Sequence, residues 1–133
     1  MTIHDTDNNG YIITTHDYLH AAREIRKLVE LCHGSAKAAH WWDKERNVPE
    51  MLCLIHSEIS EAMEGYRKDR WDEHLPKRKS IEVELADALV RIFDLAGGLN
   101  LSLGEAFAEK ICYNQDRRDH TLKERMAAGG KRF

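Results

Sequence analysis

Two short acidic signatures constrain this chain more than anything else in it: Glu58-Ile59-Ser60-Glu61 and Glu84-Leu85-Ala86-Asp87. In each, the carboxylates stand three residues apart, which on a helix puts both on one face with Cβ atoms about 5–6 Å apart. The stretch from Met51 to Gly97 that carries them repeats apolar residues at helical spacing on the adjoining face. Two amphipathic helices of this kind must pack on each other, and four carboxylates are then brought close. At 4 Å and an effective dielectric near 20, each like-charge contact costs about 4 kcal/mol. A cluster of that sort stays wet, takes up protons or holds a cation.

The remainder of the chain reads as helical. Leu19, Ala22, Ile25, Leu28, Val29 and Cys32 mark a first helix from about His16 to His33, which Gly34 is expected to break before a short turn over Ala36 to Trp42. Asn47-Val48-Pro49-Glu50 has the form of a capping box and opens the second helix. Its apolar face comprises Met51, Leu52, Leu54, Ile55, Ile59, Ala62, Met63 and Tyr66. Residues 68–79 hold charges, a proline and no periodicity, and are expected to form a flexible loop over the acidic site. Ser80 is the expected N-cap of the third helix, whose buried stripe is Ile81, Leu85, Leu89, Ile92 and Ala96. Gly97-Gly98 is expected to end that helix in a left-handed cap. Ser102-Leu103-Gly104-Glu105 opens the fourth, which is expected to bury Ala106, Phe107 and Ile111 and to present Lys110 and Asn114 one turn apart. An arm over residues 1–15 precedes a helical domain over 16–133, whose tail from about residue 116 is basic and contains a glycine hinge.

Several other patterns carry less. Asp5-Thr6-Asp7-Asn8-Asn9-Gly10 opens like a calcium loop, but His16 stands where the closing glutamate belongs. His16-Asp17-Tyr18-Leu19-His20 has the spacing of a zinc helix without its glutamate or a third ligand, and a solvated first turn accounts for it. Cys32, Cys53 and Cys112 form no Cys-x-x-Cys pair and read as free thiols in a reducing, cytoplasmic compartment. A net charge of -3 argues against nucleic acid as a partner. The absence of an 18-residue apolar run or of a leader at the start argues against a membrane. Of the adjacent Trp41 and Trp42, one is expected in the core and the other on a pocket wall, since neighbouring side chains leave a helix or turn in different directions.

Oxygen-only ligands suit a hard cation, Mg²⁺ with Mn²⁺ as a substitute, and such an ion commonly keeps waters and binds substrate phosphates. The expected chemistry is therefore hydrolysis at phosphorus, with a spare carboxylate orienting the water and Lys110, Asn114 and Arg91 as donors.

The order Glu-x-x-Glu, spacer, Glu-x-x-Asp, then Lys110-x-x-x-Asn114 resembles the MazG-type all-α nucleoside triphosphate pyrophosphohydrolases, as do Trp42-Asp43-Lys44-Glu45-Arg46-Asn47 and the closing Gly130-Lys131-Arg132-Phe133. The resemblance covers residues 16–133. It implies an all-α bundle of four to five helices, assembled as a homodimer or homotetramer, that cleaves a nucleoside triphosphate to the monophosphate and pyrophosphate with Mg²⁺. It also implies metal ligation by Glu58, Glu61, Glu84 and Asp87. Which carboxylate acts as base does not follow from it, and Glu61 is the one expected to hold the attacking water. His33, Trp42 and Asn114 would lie near the nucleoside, and Lys110 would meet phosphate. Members specific for dCTP carry a tyrosine where this chain has Arg91, so base preference does not transfer. The competing expectations are a phosphoribosyl-ATP pyrophosphatase, a di-iron bundle of which Glu30-Leu31-Cys32-His33 supplies one of two needed motifs, and a helical adaptor without catalysis.

Overall fold

A computed structural model describes residues 13–116 and 126–129. The described chain is all-helical: α1 Thr15–Ala38, α2 Val48–Arg67, α3 Ser80–Gly98 and α4 Leu103–Asp116. The calcium-like stretch at Asp5–Gly10 and most of the basic tail lie outside the described residues. No described helix is long and apolar enough to cross a membrane. The chain divides into two compact units, residues 28–101 and a second made of 1–27 with 102–133.

The unit of residues 28–101 is built on α2 and α3. Asn47 caps α2 as its sequence foretells, its Oδ1 accepting the Glu50 N–H at 2.9 Å. At the head of α3 the cap falls one residue earlier than expected. Lys79 is the flanking residue, and its N–H donates to Glu82 Oε2 at 3.0 Å. Ser80 is instead the first helical residue, and its side chain lies where any Cβ on Gly65 of α2 would stand, so α2 and α3 approach closely there.

The segment between them is not the loose loop the charges suggested. Asp72 Oδ1 accepts the N–H groups of His74 (2.9 Å) and Leu75 (2.6 Å), the Asx-turn use of aspartate. Asp72 N donates to Arg78 O, and Ser80 N to Arg70 O. Trp71 and Lys79 form an antiparallel bridge, with the Lys79 ammonium 4.4 Å from the Trp71 ring centroid. Internal bonding, invisible to periodicity, makes this loop a small built element.

Two helix ends also differ from expectation. Gly34 does not break α1, which continues to Ala38; one glycine costs a helix only about 1 kcal/mol, and good helix formers follow it. The chain turns at His40, with φ of 64°, where the N–H groups of His40 and Trp41 return to Lys37 O and Ala36 O. Gly97 and Gly98 likewise lie inside α3, and the left-handed residue is Asn100, with φ of 53°. Their purpose is steric: a Cβ on Gly97 would meet His33, and one on Gly98 would meet the Trp42 ring.

The core of this unit is made of small side chains. Met51, Ala62, Gly65, Ala88, Leu95 and Ala96 are buried. Leu85 and Leu89, expected inside, are 45% and 50% exposed, and Leu52, Ile59, Met63 and Tyr66 on α2 are equally open. Helical spacing marks the apolar faces but does not say what covers them, and the described residues of this unit leave them open.

In the other unit, Gly104 at the start of α4 approaches the Ala22 carbonyl so closely that a Cβ would strike it, and Ala22 and Ala108 are buried. Arg26 pairs with Glu105. Here too the expectation is corrected: Ala108 is buried, while Ala106 and Phe107 face out. Thr14 and Asp17 exchange hydrogen bonds of 2.8–3.1 Å and cap α1.

Candidate metal centre

Helical spacing and the close α2–α3 approach bring the acidic signatures together. Glu58, Glu84 and Asp87 each offer a carboxylate oxygen, all lying within 4.8 Å of one another. Glu58 is buried, Glu84 half-buried and Asp87 exposed. Glu61 is exposed and stands outside this trio, although its charge acts on Glu84.

The electrostatics show a surplus of negative charge. Burial, then the charge of Glu61, then hydrogen bonding with and the charge of Glu58 push the Glu84 carboxyl up to about 7. Burial first, and then Glu58, raise Asp87, with Arg91 partly offsetting them. Arg91 is itself tied to the cluster: its Nε donates to Glu58 Oε1 at 2.6 Å. An oxygen-only donor set with this much uncompensated charge fits a hard divalent cation.

The acids lie between two cavities. Glu58, Asp87 and Arg91 line a cavity of about 760 Å³ with Trp41, Arg46, Leu54 and Asp94. Glu61 and Glu84 line a smaller one, about 260 Å³, whose far wall is the bonded loop, with Arg70, Trp71 and His74. The larger volume falls in the range of pockets that hold a small organic ligand.

The wall of the larger cavity rests on a residue that sequence reading passed over. Asp94 of α3 is buried, and its Oδ1 accepts Trp42 Nε1–H at 2.8 Å and meets His33 Nδ1 at 3.0 Å. Arg46 Nη1 stands 3.7 Å from its Oδ2. Trp42 packs edge-on to His33, with centroids 5.1 Å apart, and its ring fills the place Gly98 leaves open. Of the two indoles, Trp42 is therefore the packed one. Trp41 is 64% exposed and lines the cavity. The Arg46 guanidinium carbon sits 5.7 Å and 5.5 Å from the two ring centroids. A buried carboxylate at Asp94 has a sequence signal only in hindsight: it is the acid that interrupts an otherwise apolar run, Ile92-Phe93-Asp94-Leu95-Ala96.

Lys110 and Asn114 belong to the unit of residues 1–27 and 102–133. Lys110 lies 4.7 Å from the Tyr113 ring centroid, and the buried Oδ1 of Asn114 finds no hydrogen-bond partner among the described residues. An unsatisfied buried acceptor of this kind is costly and calls for a donor.

Comparison of the chain with known protein families, with curated proteins and with solved structures found no match.

Proposed function

We propose that this protein is a Mg²⁺-dependent nucleoside triphosphate pyrophosphohydrolase of the MazG type that its sequence resembles. It would clear nucleotides by cleaving a (deoxy)nucleoside triphosphate and water to the monophosphate and pyrophosphate. The observation that carries this reading is the convergence of Glu58, Glu84 and Asp87 within 4.8 Å at the edge of a cavity of nucleoside size. A divalent ion held there would neutralise charge on the phosphates.

The chain's own residues then divide the work. Glu58, Glu84 and Asp87 would hold the ion, and Glu61, on the side of the smaller cavity, would complete the set. The exposed Glu61 carboxylate orients a water and takes its proton. The water oxygen attacks the α-phosphorus, and the bond to the bridging oxygen breaks, releasing pyrophosphate. Trp41 offers an open aromatic face to the base, while Asp94, His33 and Trp42 fix the wall behind it. Arg91, on the wall of the larger cavity, supplies a further donor to the nucleotide.

We further read the protein as a homodimer or dimer of dimers. The stripe Leu52, Ile59, Met63 and Tyr66 on α2, with Leu85 and Leu89 on α3, is left open by the described residues and would be covered by a second copy. Three free thiols accord with a reducing cytoplasm.

A panel of canonical and modified triphosphates, incubated with Mg²⁺ and resolved for products, tests the reading. Wild type should release pyrophosphate, and Glu61→Gln should lower kcat by about 100-fold or more, the scale of a lost general base. Undiminished turnover by Glu61→Gln would remove it from the site, and cleavage of phosphoribosyl-ATP alone would reassign the substrate.

A further inference from the structure

We infer that Arg91 is a built-in counter-cation of the acidic cluster, giving up Glu58 when a divalent ion binds and turning to the nucleotide, so that ion and nucleotide bind cooperatively. This rests on the metal-dependent reading above.

The two members of the Glu58–Arg91 pair are unequally held. Glu58 is fixed in the α2–α3 seam, its side chain only 10% exposed, whereas the Arg91 side chain is 41% exposed. The bond between them is short and charge-assisted, 2.6 Å from Nε to Oε1. It therefore occupies an oxygen of the most buried acid in the trio. A guanidinium and a divalent cation competing for the same carboxylate repel each other, and the cation with the open side is the one free to leave.

The departing guanidinium has somewhere to go. Arg91 lines the large cavity together with Asp94, three residues further along the same helix face. A second small cavity, bounded by Arg46, Met51, Leu54, Arg91 and Asp94, adjoins it. With a nucleotide in the large cavity, its phosphates offer Arg91 a bidentate acceptor. An ion that frees Arg91 thus improves nucleotide binding, and by linkage a nucleotide that engages Arg91 improves ion binding by the same factor.

The opposite role, a guanidinium that merely orients Glu58 for the ion, predicts the reverse change in affinity. Calorimetric titration of Mn²⁺ into full-length protein without nucleotide separates the two. Arg91→Met, which keeps an unbranched apolar stem, should bind Mn²⁺ about tenfold more tightly than wild type, the scale of one charge pair with an open side. Arg91→Lys should stay near wild type. The gain in affinity for an α,β-imido triphosphate on adding Mn²⁺ should be about tenfold smaller in Arg91→Met than in wild type. Equal or weaker Mn²⁺ binding by Arg91→Met would overturn the inference while leaving the metal site standing. No Mn²⁺ heat from either protein, with helical circular dichroism intact, would overturn the metal site and this inference together.

Discussion

Replacing Glu84 by glutamine should make the ion-free protein more stable while destroying its activity. In the folded chain the Glu84 carboxyl is raised from 4.5 to about 7, by burial first and then by Glu61 and Glu58. Below pH 4.5, folded and unfolded chains both carry it protonated and nothing is lost. Between 4.5 and about 7 the unfolded chain releases its proton while the folded chain retains it, so stability falls as pH rises through this window. Above about 7 the loss is complete. The full gap corresponds to about 3 kcal/mol. Solvent reaches the half-buried site, and screening reduces this to about 2 kcal/mol. Glu84→Gln removes that penalty, so at pH 8 in a chelator its Tm should exceed wild type by about 6–8 °C for a chain of this length. At pH 5 the advantage should shrink to less than about 1 kcal/mol. Scanning calorimetry at both pH values provides the assay. A variant less stable than wild type at pH 8, or equally stabilised at both pH values, would refute the picture of a strained acidic cluster.

Other outcomes follow from the same structure. Adding Mg²⁺ at pH 8 should raise the Tm of wild type, and chelation should reverse it, whereas Glu84→Gln should respond little; thermal scans with and without the ion check this. Asp94→Asn should cost about 2–3 kcal/mol in urea unfolding, because Trp42, His33 and Arg46 lose a buried charged partner. Gly98→Ala should cost about 1–3 kcal/mol, since its methyl meets the Trp42 ring, and should weaken nucleotide binding through a displaced wall. Leu89→Glu places a charge in the open apolar stripe, and analytical ultracentrifugation should then find monomer where wild type assembles.

The helices and the pairing of the acids were readable because both depend on local periodicity. Residues 3.6 to a turn share a face whatever packs against it, so Glu58, Glu84 and Asp87 meet once α2 and α3 pair. Features set by long-range contact were not readable. Gly97 and Gly98 have the look of a helix stop, yet they are smooth places for His33 and Trp42 to lie. Asp94 reads as one more charge on a helix until its partners arrive from residues 52 and 61 positions away. Asp72 organises the 68–79 loop through hydrogen bonds that no hydropathy pattern records. The stripe at Leu85 and Leu89 is apolar in the sequence and exposed in the structure, because periodicity names a face and not what packs on it.

Whether these carboxylates serve cleavage at the α-phosphorus is read from hydrolysis in ¹⁸O-labelled water followed by mass spectrometry of the products. The expected result is Mg²⁺-dependent release of unlabelled pyrophosphate, with a single ¹⁸O in the nucleoside monophosphate. Label in orthophosphate released with a diphosphate, label in pyrophosphate, or no turnover of any triphosphate with Mg²⁺ or Mn²⁺, would contradict it.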